Sequence, residues 1–485
     1  MRRLFALFLL PLLASCIAGP NYHKPALPTA KGWVEAKADM PVEDAPSQEP
    51  WWTALGDETL NALENKALAG NLDVKMALAR IKEAQAGQRG AIAQLLPNSS
   101  GQISTANAQP NTGYGYKPQM QTQETLNISW EIDLLGGNRR ALEARIAEKE
   151  AAVLNRDAAL LIMSVEVARA YVGLRDAVGQ IAVLQANILS EKETVRLTTL
   201  REQYGLGSKL EVTQAERQLA STQAGLPPLI IQRSKARYRL ELLLGELPGS
   251  VKELDQITTG VSVPTAKVVL ASSQSLLVRR PDVAIAERQL AAAVARQGVS
   301  RAEWLPRISL SAVLGNIFTD PANAIYPAGQ SWQLGAAASQ TLLDFGRIAS
   351  DIRVSDARAE EALTNLKQRA LTAFSEVETA LATYVNSGQR LADLTETEAK
   401  AQKAFDLSRS LYLDGLGEFL NVLDAQRELL MAQQTRQAAE AAVVQSIVDL
   451  ESAMGGTTFP EKPQPAKDKL PLMMLSVPQK LDPSR

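Results

Sequence analysis

The triplet Asp344-Phe345-Gly346 is spelled as in protein kinases, where the aspartate holds a magnesium ion. Phosphoryl transfer of that kind also needs a Gly-rich loop over the phosphates, a strand lysine and a catalytic H-R-D. The only histidine in 485 residues is His23, in a Pro-rich leader segment, so no H-R-D can be written. The same shortage removes the general base from any Ser/His/Asp or Cys/His relay. No G-x-x-x-x-G-K-[S/T] occurs. A single cysteine, Cys16, excludes intrachain disulfides and thiolate metal centres. The chain therefore reads as no enzyme, with no metal and no bound cofactor.

Cys16 offers a different reaction. Arg2 and Arg3 precede an apolar run, Leu4 to Leu13, too short to span a bilayer as a helix, and Leu13-Ala14-Ser15-Cys16 follows. This resembles a bacterial lipoprotein signal, residues 1–15, whose removal leaves Cys16 as the mature N-terminus carrying covalent lipid, palmitate included. Ile17 rather than Asp follows it, which in lipoproteins of this kind favours delivery to the outer membrane. Beyond Leu13 no run approaches the roughly 20 apolar residues of a spanning helix, so further membrane contact must come from strands. The net charge of −2 and the lack of a basic block argue against nucleic acid as a partner.

The elements that position these residues occur twice, with a period of about 210 residues. Leu96-Pro97 recurs as Leu305-Pro306, Asp133 as Asp344, Val167 as Val377, and Gly205-Leu206-Gly207 as Gly415-Leu416-Gly417. Each copy opens with a helical pattern, about 57–94 and 281–303, stopped by the Leu-Pro pair. Arg279-Arg280-Pro281-Asp282 starts the second of these, with Pro281 at a first helical position and Asp282 in the first turn.

Alternating stretches follow. Leu126, Ile128, Trp130 and Ile132 share one face, as do Ile308, Leu310, Ala312 and Leu314, and Trp332, Leu334, Ala336 and Ala338. Strands are expected at about 98–109, 121–134, 307–318 and 331–343, near the roughly 9–11 residues that cross a bilayer at a tilt, with loops NTGYGYKP and TDPANAIYP between them. The first strand has the poorest alternation. Asp133 and Gly136 in one copy, Asp344 and Gly346 in the other, then mark strand-to-helix joints: glycine permits the reversal and aspartate caps the helix. The kinase-like spelling is one such joint.

Long helices are expected at about 138–204 and 348–414, returning at 208–245 and 418–454. Counting by sevens from Ile146 gives Val153, Leu160, Val167, Leu174, Ile181, Ile188 and Val195, a stripe that demands neighbouring helices. The fold class is an α+β membrane protein: strand hairpin plus long helical hairpin, tandem-duplicated over 57–250 and 281–456. A lipid-anchored extended segment (16–56), a linker (251–280) and a C-terminal tail (457–485) complete the chain. Four spanning strands cannot close a barrel, because small barrels begin at about eight, so several chains must share one.

The Cys16 lipobox with GPNYHKP, LLVRRPDVAIAE at 276–287, LDFGR at 343–347 and YLDGLGEFLNVLDAQREL at 412–429 carry a family resemblance. The chain resembles the outer membrane factor family, the TolC/OprM-type channels of tripartite efflux pumps, within its lipoprotein branch. The resemblance implies a homotrimer with a β-barrel of four strands per chain continuous with a periplasmic α-helical barrel. It implies outer membrane lipid, a periplasmic adaptor and a proton-driven inner-membrane transporter as partners. The chain would be a passive conduit from periplasm to exterior, opened at its periplasmic tip by adaptor and transporter contact.

The implied gate falls on Leu420, Asp424 and Arg427, which lie on one helix face, with Asn421 where some members carry a second acid. Gly205, Leu206, Gly207, Gly415, Leu416 and Gly417 resemble the adaptor-contact tips. The rival readings are a periplasmic adaptor and a coiled-coil lipoprotein without a pore; hairpins occurring twice beside strands of bilayer length favour the channel.

Overall fold

The computed structural model describes residues 17–37, 40–43, 49–108, 119–265, 268–318 and 330–456. Cys16 and the segment before it, the loops NTGYGYKP and TDPANAIYP, and the tail 457–485 lie outside the described residues. In chain order the elements are β1 (Val42–Glu43), α1 (Glu58–Gly70), α2 (Leu72–Ala93), β2 (Asn98–Ala108), β3 (Gln119–Ile132), α3 (Gly137–Gln203), α4 (Lys209–Ala224) and α5 (Leu226–Leu243). There follow β4 (Leu270–Ala271), α6 (Ser273–Arg279), α7 (Pro281–Ala302), β5 (Arg307–Phe318), β6 (Gln330–Ser339), α8 (Arg347–Leu413) and α9 (Phe419–Ala453).

Period-two patterning yields one antiparallel sheet in the order β2-β3-β5-β6. The two hairpins meet where β3 pairs β5, with Ile132 opposite Ile308 and Ile128 opposite Ala312. Leu310, Leu314, Trp332 and Leu334 are all exposed, so this apolar face has no covering layer within the chain. Both outer strands, β2 and β6, have a partner on one side only.

Each hairpin feeds a helix of 67 residues, α3 and α8, about 100 Å long at 1.5 Å per residue. Glycines in left-handed backbone, Gly136 at φ +81° and Gly346 at φ +91°, make the reversal from strand to helix. Two stretches read as single helices are each broken. The pattern at 57–94 splits at Asn71, whose side chain caps α2 by accepting from the Val74 amide at 3.1 Å and donates to the Leu243 carbonyl at 2.8 Å. The helix expected over 208–245 splits at Gly225, because Pro227 and Pro228 lack amide donors and restart the helix as α5.

The linker and the leader segment are also more ordered than their composition suggests. β1 pairs in parallel with β4, and α6 packs ahead of α7. Arg280, in the turn before Pro281, is buried and reaches Asp282 at 2.8 Å, Glu376 at 2.6 Å and the Ala453 carbonyl at 2.8 Å. It ties the second repeat's opening helix to α8 and α9.

Two apolar cores sit where the short helices wrap the long ones, beyond the joints. Trp51, Trp52, Leu60, Val167, Leu174 and Leu240 form one; Leu270, Leu276, Leu366, Val377, Leu381 and Leu450 form the other. Within the first, Glu64 is fully buried and both its carboxylate oxygens lack a partner among the described residues. Burial alone pushes its carboxyl from 4.5 up to about 9, so it is a neutral acid at neutral pH.

Candidate gate, tips and joints

The far ends of the two helical hairpins pack against each other. At both turns the chain closes in the same way: the Leu206 amide donates to the Arg201 carbonyl at 2.8 Å and the Gly205 amide to Glu202 at 2.9 Å. The Leu416 amide likewise donates to Leu411 at 2.8 Å and Gly415 to Tyr412 at 3.1 Å. This is a Schellman closure, and it requires a left-handed residue, here Gly205 at φ +72° and Gly415 at φ +75°. Leu206 and Leu416 are thereby held out in solvent at the extremity of the molecule. Gly207 and Gly417 lie beside the preceding helix ends, where a Cβ would come within 3.3 Å of Arg201 and 3.2 Å of Leu411 respectively.

Phe405, Tyr412, Phe419, Val422, Leu423 and Leu429 form a small apolar core behind these turns. The Tyr412 and Phe419 rings stand 5.2 Å apart, and the Arg201 guanidinium lies 4.7 Å above the Tyr412 ring. The Tyr412 hydroxyl donates to Glu211 at 2.8 Å across the two repeats. Burial, then the adjacent Glu211 carboxylate, pushes the phenol up to about 12, so it remains a donor at any physiological pH. Phe419, Val422, Leu423 and Gln426 point into this core. Leu420, Asp424 and Arg427 occupy the opposite, exposed face of α9, with Arg427 Nη2 2.7 Å from Asp424 Oδ1. Asn421 is exposed beside them.

Behind the tip, α3 and α9 share a polar seam. Asn187 donates to the Gln433 side chain at 2.7 Å, and Gln180 to the Gln434 carbonyl at 3.0 Å. Gly179 lies under Gln437, where a Cβ would come within 2.7 Å of the amide carbon. Arg436 pairs with Glu398 and Glu440, closing the second hairpin on itself.

At the other end, both joint aspartates cap the helices they precede. Asp133 accepts from the amides of Asn138 at 3.2 Å and Arg139 at 2.8 Å. Asp344 accepts from Gly346 at 3.0 Å and Ile348 at 2.8 Å, and these amides hold its carboxyl below the usual range. Phe345, between them, has φ 53°, left-handed for a residue with a bulky side chain, and its ring is wholly exposed.

The first joint is covered by the segment that follows Cys16. The Ala18 amide donates to the Leu135 carbonyl at 2.9 Å, and Ile17 sits against Gly136. Arg140 is buried and donates to the Ala18 carbonyl at 3.0 Å and to Asn21 at 2.7 Å.

Sequence reasoning missed Arg140, Arg201, Glu211 and Tyr412. Glu211 is legible as half of a capping box, three residues after Ser208, whose hydroxyl accepts from the Glu211 amide. Its partner on the other repeat is not, because no local pattern links positions 201 residues apart.

Among the described residues no group of three His, Cys, Asp or Glu side chains could hold a metal ion, and no helix is long and apolar enough to cross a membrane. The family model described as "Outer membrane efflux protein" matches residues 63–246 and 272–456. Nodulation protein T of Rhizobium leguminosarum bv. trifolii is 30% identical, over 87% of this chain and 90% of that protein. The pyoverdine export outer membrane protein OpmQ of Pseudomonas aeruginosa is also 30% identical, over 92% of this chain and 94% of its own length. The solved structure of the outer-membrane channel OprN superposes with a TM-score of 0.84 at 30% identity, covering 91% of this chain and 99% of that one.

Proposed function

We infer the function from one premise: this chain belongs to the outer membrane efflux protein family. It is an outer membrane efflux channel, a passive conduit and not an enzyme. The observation that carries the mechanism is an open four-stranded sheet continuous with helices about 100 Å long. In lipid an unpaired backbone group costs several kcal/mol, so the free edges of β2 and β6 must be satisfied by other copies. Three copies give twelve strands around a hollow axis, and the helical hairpins continue that wall into the periplasm as a tube.

The duct closes at the tip. Three copies of α9 bring three Leu420 and three Asp424 side chains toward the axis, each acid neutralised by its own Arg427. Tyr412 bonded to Glu211 holds the second hairpin against the first and so keeps that ring narrow. An exposed ion pair is worth under about 1 kcal/mol, so the closed state is held by few and weak contacts that a partner can bias. The exposed Leu206 and Leu416 turns are where a periplasmic adaptor docks, linking the duct to an inner-membrane transporter that supplies the energy. Relatives of equal identity are named for pyoverdine export and for nodulation, which fits cargo choice lying in the transporter.

Cys16 carries the lipid. Residues Ile17 to Asn21 are fastened beside Gly136 and Arg140, at the level where sheet gives way to helix. An acyl chain on the preceding residue enters the membrane leaflet at that level.

Planar-bilayer recording tests the gate. The wild type should give small, flickering currents, and both Asp424→Ala and Tyr412→Phe should give larger, steadier ones. Absence of conductance in all three proteins would contradict the gated duct.

A further inference from the structure

The alternation that divides the sheet into two faces also sorts its charge. Leu126, Trp130, Leu310, Leu314, Trp332 and Leu334 are exposed on one face. The pairing puts Gln123, Asn127 and Ser129 of β3, Ser311 of β5, and Ser331 and Gln333 of β6 on the other, each an odd number of residues from those neighbours. The apolar face suits lipid, so in a shared barrel the polar face encloses the water-filled bore.

Charge is sparse on these strands. β2, β3, β5 and β6 together hold three charged residues, Glu124, Glu131 and Arg307. Glu124 lies on the apolar face, opposite Asn316. Glu131 and Arg307 lie on the polar face at its inner end: Glu131 is opposite Ser309, and Arg307 stands two residues before Ser309 on that adjacent strand. Both side chains are exposed, and both line a cavity of about 160 Å³ where the sheet meets α3 and α7. Asp133, next along the face, is committed to the Asn138 and Arg139 amides. One acid and one base per copy cancel. Outward from Glu131 as far as Gln123, about 27 Å along the strand at 3.4 Å per residue, the polar face carries no charged side chain among the described residues. That stretch is longer than twice the Debye length of about 10 Å at 0.1 M salt, so an ion within it is screened from the collar below.

We propose that the barrel section of the duct is charge-neutral: a bore of hydroxyls and carboxamides that passes ions and polar solutes of either sign alike, entered through a balanced collar of Glu131 and Arg307. Hydroxyl and carboxamide groups both donate and accept hydrogen bonds, so they solvate cations and anions without the exclusion that a ring of like charges imposes. Sorting by charge is left to the helical tube and its tip. Glu131, Arg307 and the uncharged positions outward of them are thus the residues that set what the exit section admits.

This inference rests on the shared-barrel reading, and the test separates the two. Single cysteines are placed in the full lipidated chain in liposomes: Gln123→Cys, Ser311→Cys and Gln333→Cys on the polar face, Leu126→Cys and Leu314→Cys on the apolar one. Labelling rates are measured with a cationic and an anionic methanethiosulfonate and divided by those of a free thiol. The unsubstituted chain should stay unlabelled, since its only cysteine, Cys16, carries lipid on its sulfur. The three polar-face variants should react with both reagents in the free-thiol ratio, unmoved by added salt, and the two apolar-face variants should stay unlabelled. In Ser309→Cys, adding Glu131→Gln should shift the ratio about threefold toward the anionic reagent, and adding Arg307→Gln as well should restore it. A preference for one sign at the three polar-face positions, abolished by salt, would overturn the neutral bore and leave the shared barrel standing. A ratio unmoved by Glu131→Gln would overturn the collar. Equal labelling of both faces would overturn the shared barrel itself.

Discussion

Glu64 shows how one side chain sets a condition on the whole. Its carboxyl is fully buried among apolar neighbours with no partner for either oxygen, and burial raises its value from 4.5 to about 9. Because the folded value lies above the unfolded one, the contribution of the protonated acid is complete below about 4.5 and is lost as pH rises toward 9. The melting temperature of the wild type should therefore fall across that interval more steeply than that of Glu64→Gln, which keeps the shape without the charge. Parallel curves would contradict a neutral Glu64. Residues acting through local backbone chemistry were legible in the sequence: Asp133 and Asp344 as helix caps, Gly205 and Gly415 as turn glycines. Residues acting through distant partners were not. Tyr412 bonds Glu211, and Arg140 holds Ala18 and Asn21, across separations that no periodicity encodes.

At the scale of elements, the two tip turns are built alike and should fail alike. A Cβ in left-handed backbone costs about 1–2 kcal/mol, so Gly415→Ala should lower the stability of the tip by that order and speed hydrogen exchange of the flanking turns of α8 and α9. Unchanged exchange there would mean that the turn tolerates a side chain in left-handed backbone, since a Cβ at Gly415 meets no neighbouring atom. The sheet and the two 67-residue helices were legible because alternation and the seven-residue stripe are direct imprints of their packing. The breaks at Asn71 and Gly225 were not read. Apolar spacing continues across both, and only the missing amides of Pro227 and Pro228 and the capping side chain of Asn71 stop the helix. The order in the linker was hidden for another reason: β1 and β4 are two residues each, too short to show a period.

For the whole molecule, duplication accounts for what a single chain can and cannot do. One copy of the gene product builds two repeats and joins them through β3 with β5, α3 with α7 and α3 with α9, while the outer edges of β2 and β6 stay unpaired. The exposed apolar face of the sheet has no stable place in water, and its open edges have none in lipid until other copies complete them. That incompleteness was legible from strand count alone, since four strands fall short of a closed barrel. Imaging single particles of the full-length protein in lipid nanodiscs tests the central claim most directly, because it counts strands and subunits around the axis at once. The account predicts three copies enclosing one twelve-stranded barrel that continues without a break into a helical tube. A monomer, or a particle in which the sheets lie apart with no common lumen, would contradict it.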